Sequence, residues 1–233
     1  MLALSISSLI EEANLADPGQ KRLAGNIGNI ESMLEPEHLV KLEQRLGDVA
    51  FAFLAFDPRA DAAVRQYVEE GTLASDAGPH VLALFTLAHD AASPVELDDE
   101  AFAGWLELDL AEQPAYQLVR LLFEPGPVPP LPGIAFFARL SEPCEVVYFD
   151  LGSLDDAAEV RKRLRALFAL ADEAVRSSKD MEKVASTLAV AAERRQFQPV
   201  RSGRVSIRQW LTRGARFVGD HAGDIVAVLG LVV

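Results

Sequence analysis

The sequence is poor in the residues that usually announce a chemistry. It has one cysteine, Cys144. A single thiol excludes an intramolecular disulfide, a CxxC redox pair and a cysteine-built zinc site, and it agrees with a reducing cytoplasm, the expected location. No apolar run approaches the roughly 18–20 residues that span a bilayer. Met1 to Ile10 lack a basic start and a long apolar centre, so a secretory leader is not expected there. GxSxG, a P-loop and a GxGxxG after a strand do not occur; Gly25, Gly28, Gly152 and Gly203 stand apart. No catalytic residue and no cofactor are therefore assigned. The chain reads as non-enzymatic, with an active site assembled from distant residues left open.

Charge of one sign is missing from two blocks. Residues 66–119 hold eleven acids (Glu69, Glu70, Asp76, Asp90, Glu96, Asp98, Asp99, Glu100, Glu107, Asp109 and Glu112) and no Lys or Arg. Residues 194–216 hold seven arginines (Arg194, Arg195, Arg201, Arg204, Arg208, Arg213 and Arg216) and no acid. The net charge of −13 includes the +7 of this second block, so the other 210 residues carry −20. Such a body repels nucleic acid and anionic lipid, and any polyanion would have to bind through the arginines.

What is present is a large apolar share: 50% of the 233 residues, enough for one sizeable core. Residues 5–47 read as helical, with a break at Asp17-Pro18-Gly19 and a last helix from Pro36 to a stop at Gly47. Val49–Phe56 is apolar on both alternating faces, as a central strand is, and Val81–Leu87 repeats the pattern. Ala60–Glu70 is a helix between them. Asp98–Leu110 and Ala115–Phe123 follow as helices. Residues 125–132 hold five prolines and read as a stiff connector containing PxxP twice. Ile134–Leu140 and Val146–Leu151 read as a hairpin. A long helix capped by Ser153 then buries Val160, Leu164, Leu167, Phe168, Ala171 and Val175. Met181–Arg195 is helical, Gln196–Arg204 a loop, and Ser206 with Gln209 caps a further helix that Gly214 interrupts.

From residue 49 to 176 the order is β-α-β-α-β-β-α, which resembles a thioredoxin-like core. Pro132 stands before the third strand, where that fold keeps a cis-proline. The resemblance is one of element order, and it departs at the chemistry: Leu87-Ala88-His89-Asp90-Ala91 follows the second strand without cysteine. The expected fold is thus α/β (α+β as the alternative), a central four-stranded mixed sheet in that order without CxxC, flanked by N- and C-terminal helices. The expected divisions are a helical segment at 1–47, the core at 48–178, and a helical arm with an apolar tail at 179–233.

Candidate metal sites are weak. His80 and His89 flank one strand and stand about 30 Å apart at ~3.3 Å per residue. His38 stands in an expected helix, and His221 between Asp220 and Asp224 reads as a helix start with a surface histidine. Glu96 with Asp98, Asp99 and Glu100 lacks EF-hand spacing and reads as a solvated helix start. No metal is assigned. Cys144 sits beside Glu142 and Glu145 in an expected turn, where neighbouring carboxylates raise a thiol pKa and blunt it.

The contact candidates are Arg194, Arg195, Arg201, Arg204, Arg208, Trp210, Arg213 and Arg216, facing Glu96, Asp98, Asp99 and Glu100. Arginine suits paired carboxylate contacts, so another protein, or a second copy, is the expected partner. Nucleic acid is disfavoured by the body's charge. Peripheral membrane contact is the rival: Ile207, Trp210, Leu211 and Phe217 interleave with Arg208, Arg213 and Arg216, as in a basic interfacial helix. Ile225–Val233 is nine apolar residues, about 14 Å as a helix, and cannot span a ~30 Å core. On this reading the arm either latches within the chain or joins copies, and in the rival it is released on activation.

Overall fold

The computed structural model describes the backbone of residues 3–5, 34–89, 114–220 and 226–232, and the side chains of 34–85 and 115–214. The expected helices within 5–33 and 98–110, and the acids Glu96, Asp98, Asp99 and Glu100, lie outside the described residues, as do His221 and Asp224.

The two apolar runs become β2 (Ala50–Ala55) and β3 (Val81–His89), which pair in parallel. Every residue of β2 is buried, which explains why it shows no polar face. β4 (Gly133–Phe137) lies antiparallel on the other side of β2, and β5 (Pro143–Asp150) folds back on β4 as the expected hairpin. These four strands, in the order β3-β2-β4-β5, are the expected mixed sheet, and the α/β fold class holds with the thioredoxin-like element order. Leu131-Pro132, immediately before β4, is cis.

The sheet is larger than four strands. β6 (Pro199–Ser206) adds antiparallel to β5, where the sequence reads as a loop; β7 (Val226–Val232) adds to β3, with β1 (Ala3–Ser5) beyond it. The apolar tail is therefore a strand over Val226–Val232.

Two helical layers cover the sheet. On one face, Ala52, Leu54, Phe136 and Phe149 meet α2 (Ala62–Glu69), α3 (Leu73–Ala77), α5 (Ala157–Ser177) and α6 (Val184–Arg194). The apolar stripe of α5 is the expected one, and fully buried Leu164, Leu167 and Phe168 each contribute about 1.5–3 kcal/mol by leaving water. Its cap is Asp156, accepting from Glu159 N at 2.7 Å, and not Ser153, because the helix begins at Ala157. On the opposite face, Phe51, Phe53, Phe137 and Tyr148 meet α1 (Pro36–Leu46), α4 (Pro114–Phe123) and α7 (Ile207–Asp220). Gly214 does not interrupt α7. A Cβ there would fall 2.5 Å from Leu118 Cδ2, so the glycine lets α7 sit close on α4.

Asp76 shows why sequence blocks need not become spatial pairs. Its carboxylate, 5% exposed, faces Arg161 Nε at 2.7 Å and Arg165 Nε at 3.6 Å on α5, and accepts from the Tyr67 hydroxyl at 3.2 Å. It fastens α3 to α5 and, among the described side chains, meets none of the 194–216 arginines. Burial, then the neighbouring carboxylate, pushes the Tyr67 phenol far above its usual range.

Cys144 lies in β5 and not in a turn, 1% exposed, with its thiol 3.4 Å from the Arg139 carbonyl. Its pKa is raised, as expected, but the cause differs: burial dominates, and the carboxylate that adds to it is Glu43 rather than Glu142 or Glu145. Cys144 in the folded chain is expected to resist iodoacetamide at neutral pH and to react fully in denaturant. Rapid labelling of the native chain, followed by mass spectrometry, would contradict this placement.

Candidate interaction surface

The arginines of 194–216 are spread over three elements, and each element gives them a different surrounding. Arg194 and Arg195 end α6 and are exposed. Arg195 Nη2 lies 3.4 Å from Glu173 on α5. Arg194 lines a surface groove of about 470 Å³ between α5 and α6, together with Glu173, Ser177, Thr187 and Val190.

Arg201 and Arg204 belong to β6. The strand uses one side of its backbone to pair with β5, with Arg201 opposite Tyr148 and Arg204 opposite Glu145. In the strand order β6 comes last, so its other side is an open edge among the described residues. Arg201 is half-buried, and its guanidinium lies over Gly126, where any Cβ would overlap it. Arg204 is exposed. Among the described residues, no carboxylate comes within 4.0 Å of Arg194, Arg201 or Arg204, Glu145 included. Val200 is half exposed, and Ser202 and Gly203 are exposed, so the edge is low and accessible.

Arg208 and Arg213 sit on α7 and are engaged within the chain. Arg208 Nε donates to the Leu34 carbonyl at 2.8 Å, holding the segment that leads into α1. Arg213 donates to Glu124 at 2.8 Å, and Arg120 reaches the same carboxylate at 3.3 Å. Arg216 is in α7, its side chain outside those described. The arginines thus meet Glu124 and Glu173, which both lie outside the 66–119 block.

The Arg213 hydrogen bond, with Arg120 beside it, holds the Glu124 carboxyl below its ordinary value. A folded pKa below the unfolded one contributes stability that is present above the unfolded value and is lost as pH falls through the lowered one. Glu124→Gln is therefore expected to cost a little stability at neutral pH and nothing once the pH is below that lowered value. Urea midpoints of both chains, taken downward from about pH 4.3, check the convergence.

Trp210 departs most from the sequence reading. It is 2% exposed, edge-on to Phe53 at 5.1 Å and to Phe137 at 6.0 Å, and its indole N–H donates to the Leu118 carbonyl at 2.7 Å. Ile207 is wholly buried. Neither side chain is a surface anchor. Their spacing with Leu211 and Gly214 (i, i+3, i+4, i+7) is the signal of a core-facing stripe that the adjoining arginines obscured.

The other candidates are brought to no shared centre. His80 Nδ1 lies 2.7 Å from Asp172, which also pairs with Arg176 at 2.6 Å. A cleft of about 370 Å³ between α1 and the β4–β5 turn is lined by Glu43, Asp48, Arg139 and Glu142. Its Glu43 is consumed in structure, accepting from Leu140 N, Ser141 N and Ser141 Oγ. Neither this cleft nor the α5–α6 groove is lined by a histidine. Among the described residues no group of three or more His, Cys, Asp or Glu is arranged to hold a metal, and no helix is long and apolar enough to cross a membrane. In the proline segment Pro129 and Pro132 are buried, and the Pro130 carbonyl accepts from the Tyr148 hydroxyl at 2.6 Å. The chain matches no protein-family model, no curated protein and no solved structure.

Proposed function

We propose that this chain is a non-enzymatic protein-interaction module, an adaptor, regulator, inhibitor or assembly subunit, whose contact surface is the arginine-bearing edge formed by β6 and the end of α6. The observation that carries the reading is the division among the arginines. Among the described residues, Arg195, Arg208 and Arg213 are spent on contacts within the chain, while Arg194, Arg201 and Arg204 meet no carboxylate, and Arg201 and Arg204 lie on an open strand edge. Cations on a body that is otherwise strongly acidic favour an acidic partner and speed its approach. The lone, buried thiol suits a reducing setting such as the cytoplasm. The membrane reading loses two of its apolar anchors, because Ile207 and Trp210 are core residues.

The test compares the full chain with the triple variant Arg194→Glu, Arg201→Glu, Arg204→Glu. Both are immobilised and exposed to cell extract, and retained proteins are identified by mass spectrometry and re-bound in purified form. The expected result is a purified acidic partner that binds the native chain and loses at least about tenfold in affinity for the variant. Equal binding to both chains, or flotation of the native chain with anionic vesicles, would overturn the reading.

A further inference from the structure

We infer that β6 takes an extended acidic segment of a partner protein as an added strand of the sheet, an inference that rests on the interaction reading above. Three features converge on β6. Its backbone is paired on one side by β5 and open on the other among the described residues. An open edge carries unpaired N–H and C=O groups, which an extended peptide can satisfy by β-augmentation. The ladder is regular from Arg201 to Ser206, beyond a bulge opposite Tyr148 and Phe149. Six residues give a docking length of about 20 Å.

The side chains allow close approach. Ser202 and Gly203 are small and exposed, and nothing lies within 4 Å of a Cβ built on Gly203. The charge on either side of them sets the occupant. A second β6 laid antiparallel about any residue from Arg201 to Arg204 would set Arg201 or Arg204 directly opposite or diagonal to its own counterpart in the other copy, and like charges so placed disfavour the ladder. The same arginines attract an acidic strand. Because side chains alternate between faces, Arg201 and Arg204, three residues apart, point to opposite faces of the sheet. The complementary segment therefore carries acids three residues apart, one for each face, rather than two apart.

The test uses the full chain and a fluorescein-labelled eight-residue peptide of valine and threonine with glutamates at its third and sixth positions. Controls are the lysine version of the peptide and a version N-methylated at alternate amides, which keeps the charge and removes ladder hydrogen bonds. The chain is taken as native and as Arg201→Glu/Arg204→Glu, with the variant's fold checked by circular dichroism. Expected are saturable binding of the glutamate peptide, at least about tenfold weaker binding of the N-methylated peptide and by the variant, and slowed amide exchange over 200–206 on binding. The N-methylated peptide leaves the protein untouched, so the test survives a variant that folds poorly. Equal binding of the N-methylated peptide would mean charge association without strand addition and would overturn the inference. So would no binding at low salt, or dimerisation of the free chain through β6. If these peptide tests fail while the purified partner still loses affinity for the triple variant, the interaction reading stands and only the mode of docking is wrong.

Discussion

Trp210→Ala is expected to destabilise the fold by about 3–5 kcal/mol, the range for emptying a large aromatic site in a packed core. Among the described residues the indole is the largest of the fully buried side chains. It closes the face of the sheet under α7 by packing edge-on against Phe53 and Phe137, one from β2 and one from β4. Its N–H also donates to the Leu118 carbonyl in α4, a hydrogen bond with a net worth of about 0.5–1.5 kcal/mol within the total. Trp210→Phe separates the two contributions, since it keeps a ring against Phe53 and removes the donor. Urea unfolding at neutral pH measures both. A loss below about 1 kcal/mol for the alanine variant would mean that α7 does not belong to the core. For the same reason a chain ending at Gln198 is expected to lose cooperative unfolding: it lacks β6, Ile207 and Trp210 together, so truncation does not merely remove a detachable arm.

Gly133→Ala is the second large effect, expected to cost about 1–3 kcal/mol and to fall at the upper end of that range. Gly133 opens β4, and a Cβ on it would overlap the hydroxyl and ring edge of Tyr148. The ring has nowhere to go. Tyr148 is wholly buried, edge-on to Phe123 at 5.7 Å, and its hydroxyl is held 2.6 Å from the Pro130 carbonyl. Burial pushes this phenol far above its usual pKa, with Asp150 adding to the effect, so the hydroxyl stays a donor at any working pH. A double-mutant cycle isolates the overlap. With Tyr148→Val in place, Gly133→Ala is expected to cost at least about 1 kcal/mol less than it does alone. Equal costs in both backgrounds would deny the close approach.

These two sites also mark how far the sequence can be read. β2 and β3 were legible because strands buried on both faces leave unbroken apolar runs, and α5 because its apolar positions recur at helical spacing. The proline run and the hairpin after it were legible from turn chemistry. β6 was not. Pro-Val-Arg-Ser-Gly-Arg-Val-Ser carries the residues of a loop, and an edge strand tolerates them because only one side of it has to pair. Gly133 gave no sign of its role, since its neighbour Tyr148 lies fifteen positions away, across the hairpin. The contact candidates were legible in part. The arginine block is real in sequence, yet the structure divides it among a helix end, a sheet edge and a core helix. Two of its ion-pair partners, Glu124 and Glu173, lie outside the acidic block of residues 66–119. Charge blocks report composition along the chain, whereas pairing is decided by which elements the core brings together.

The claim on which the functional reading depends is that residues 199–206 form a sheet strand with one side satisfied and the other open. Residue-resolved hydrogen exchange on the free, full-length chain measures this directly. Amides of β6 that point to β5 are expected to exchange slowly, and their outward-pointing neighbours to exchange near the rate of solvent-exposed groups, giving alternation along the strand. Uniformly fast exchange would make the segment a free arm, and uniformly slow exchange would mean that its outer edge is already covered; either result would contradict an open, arginine-flanked docking edge.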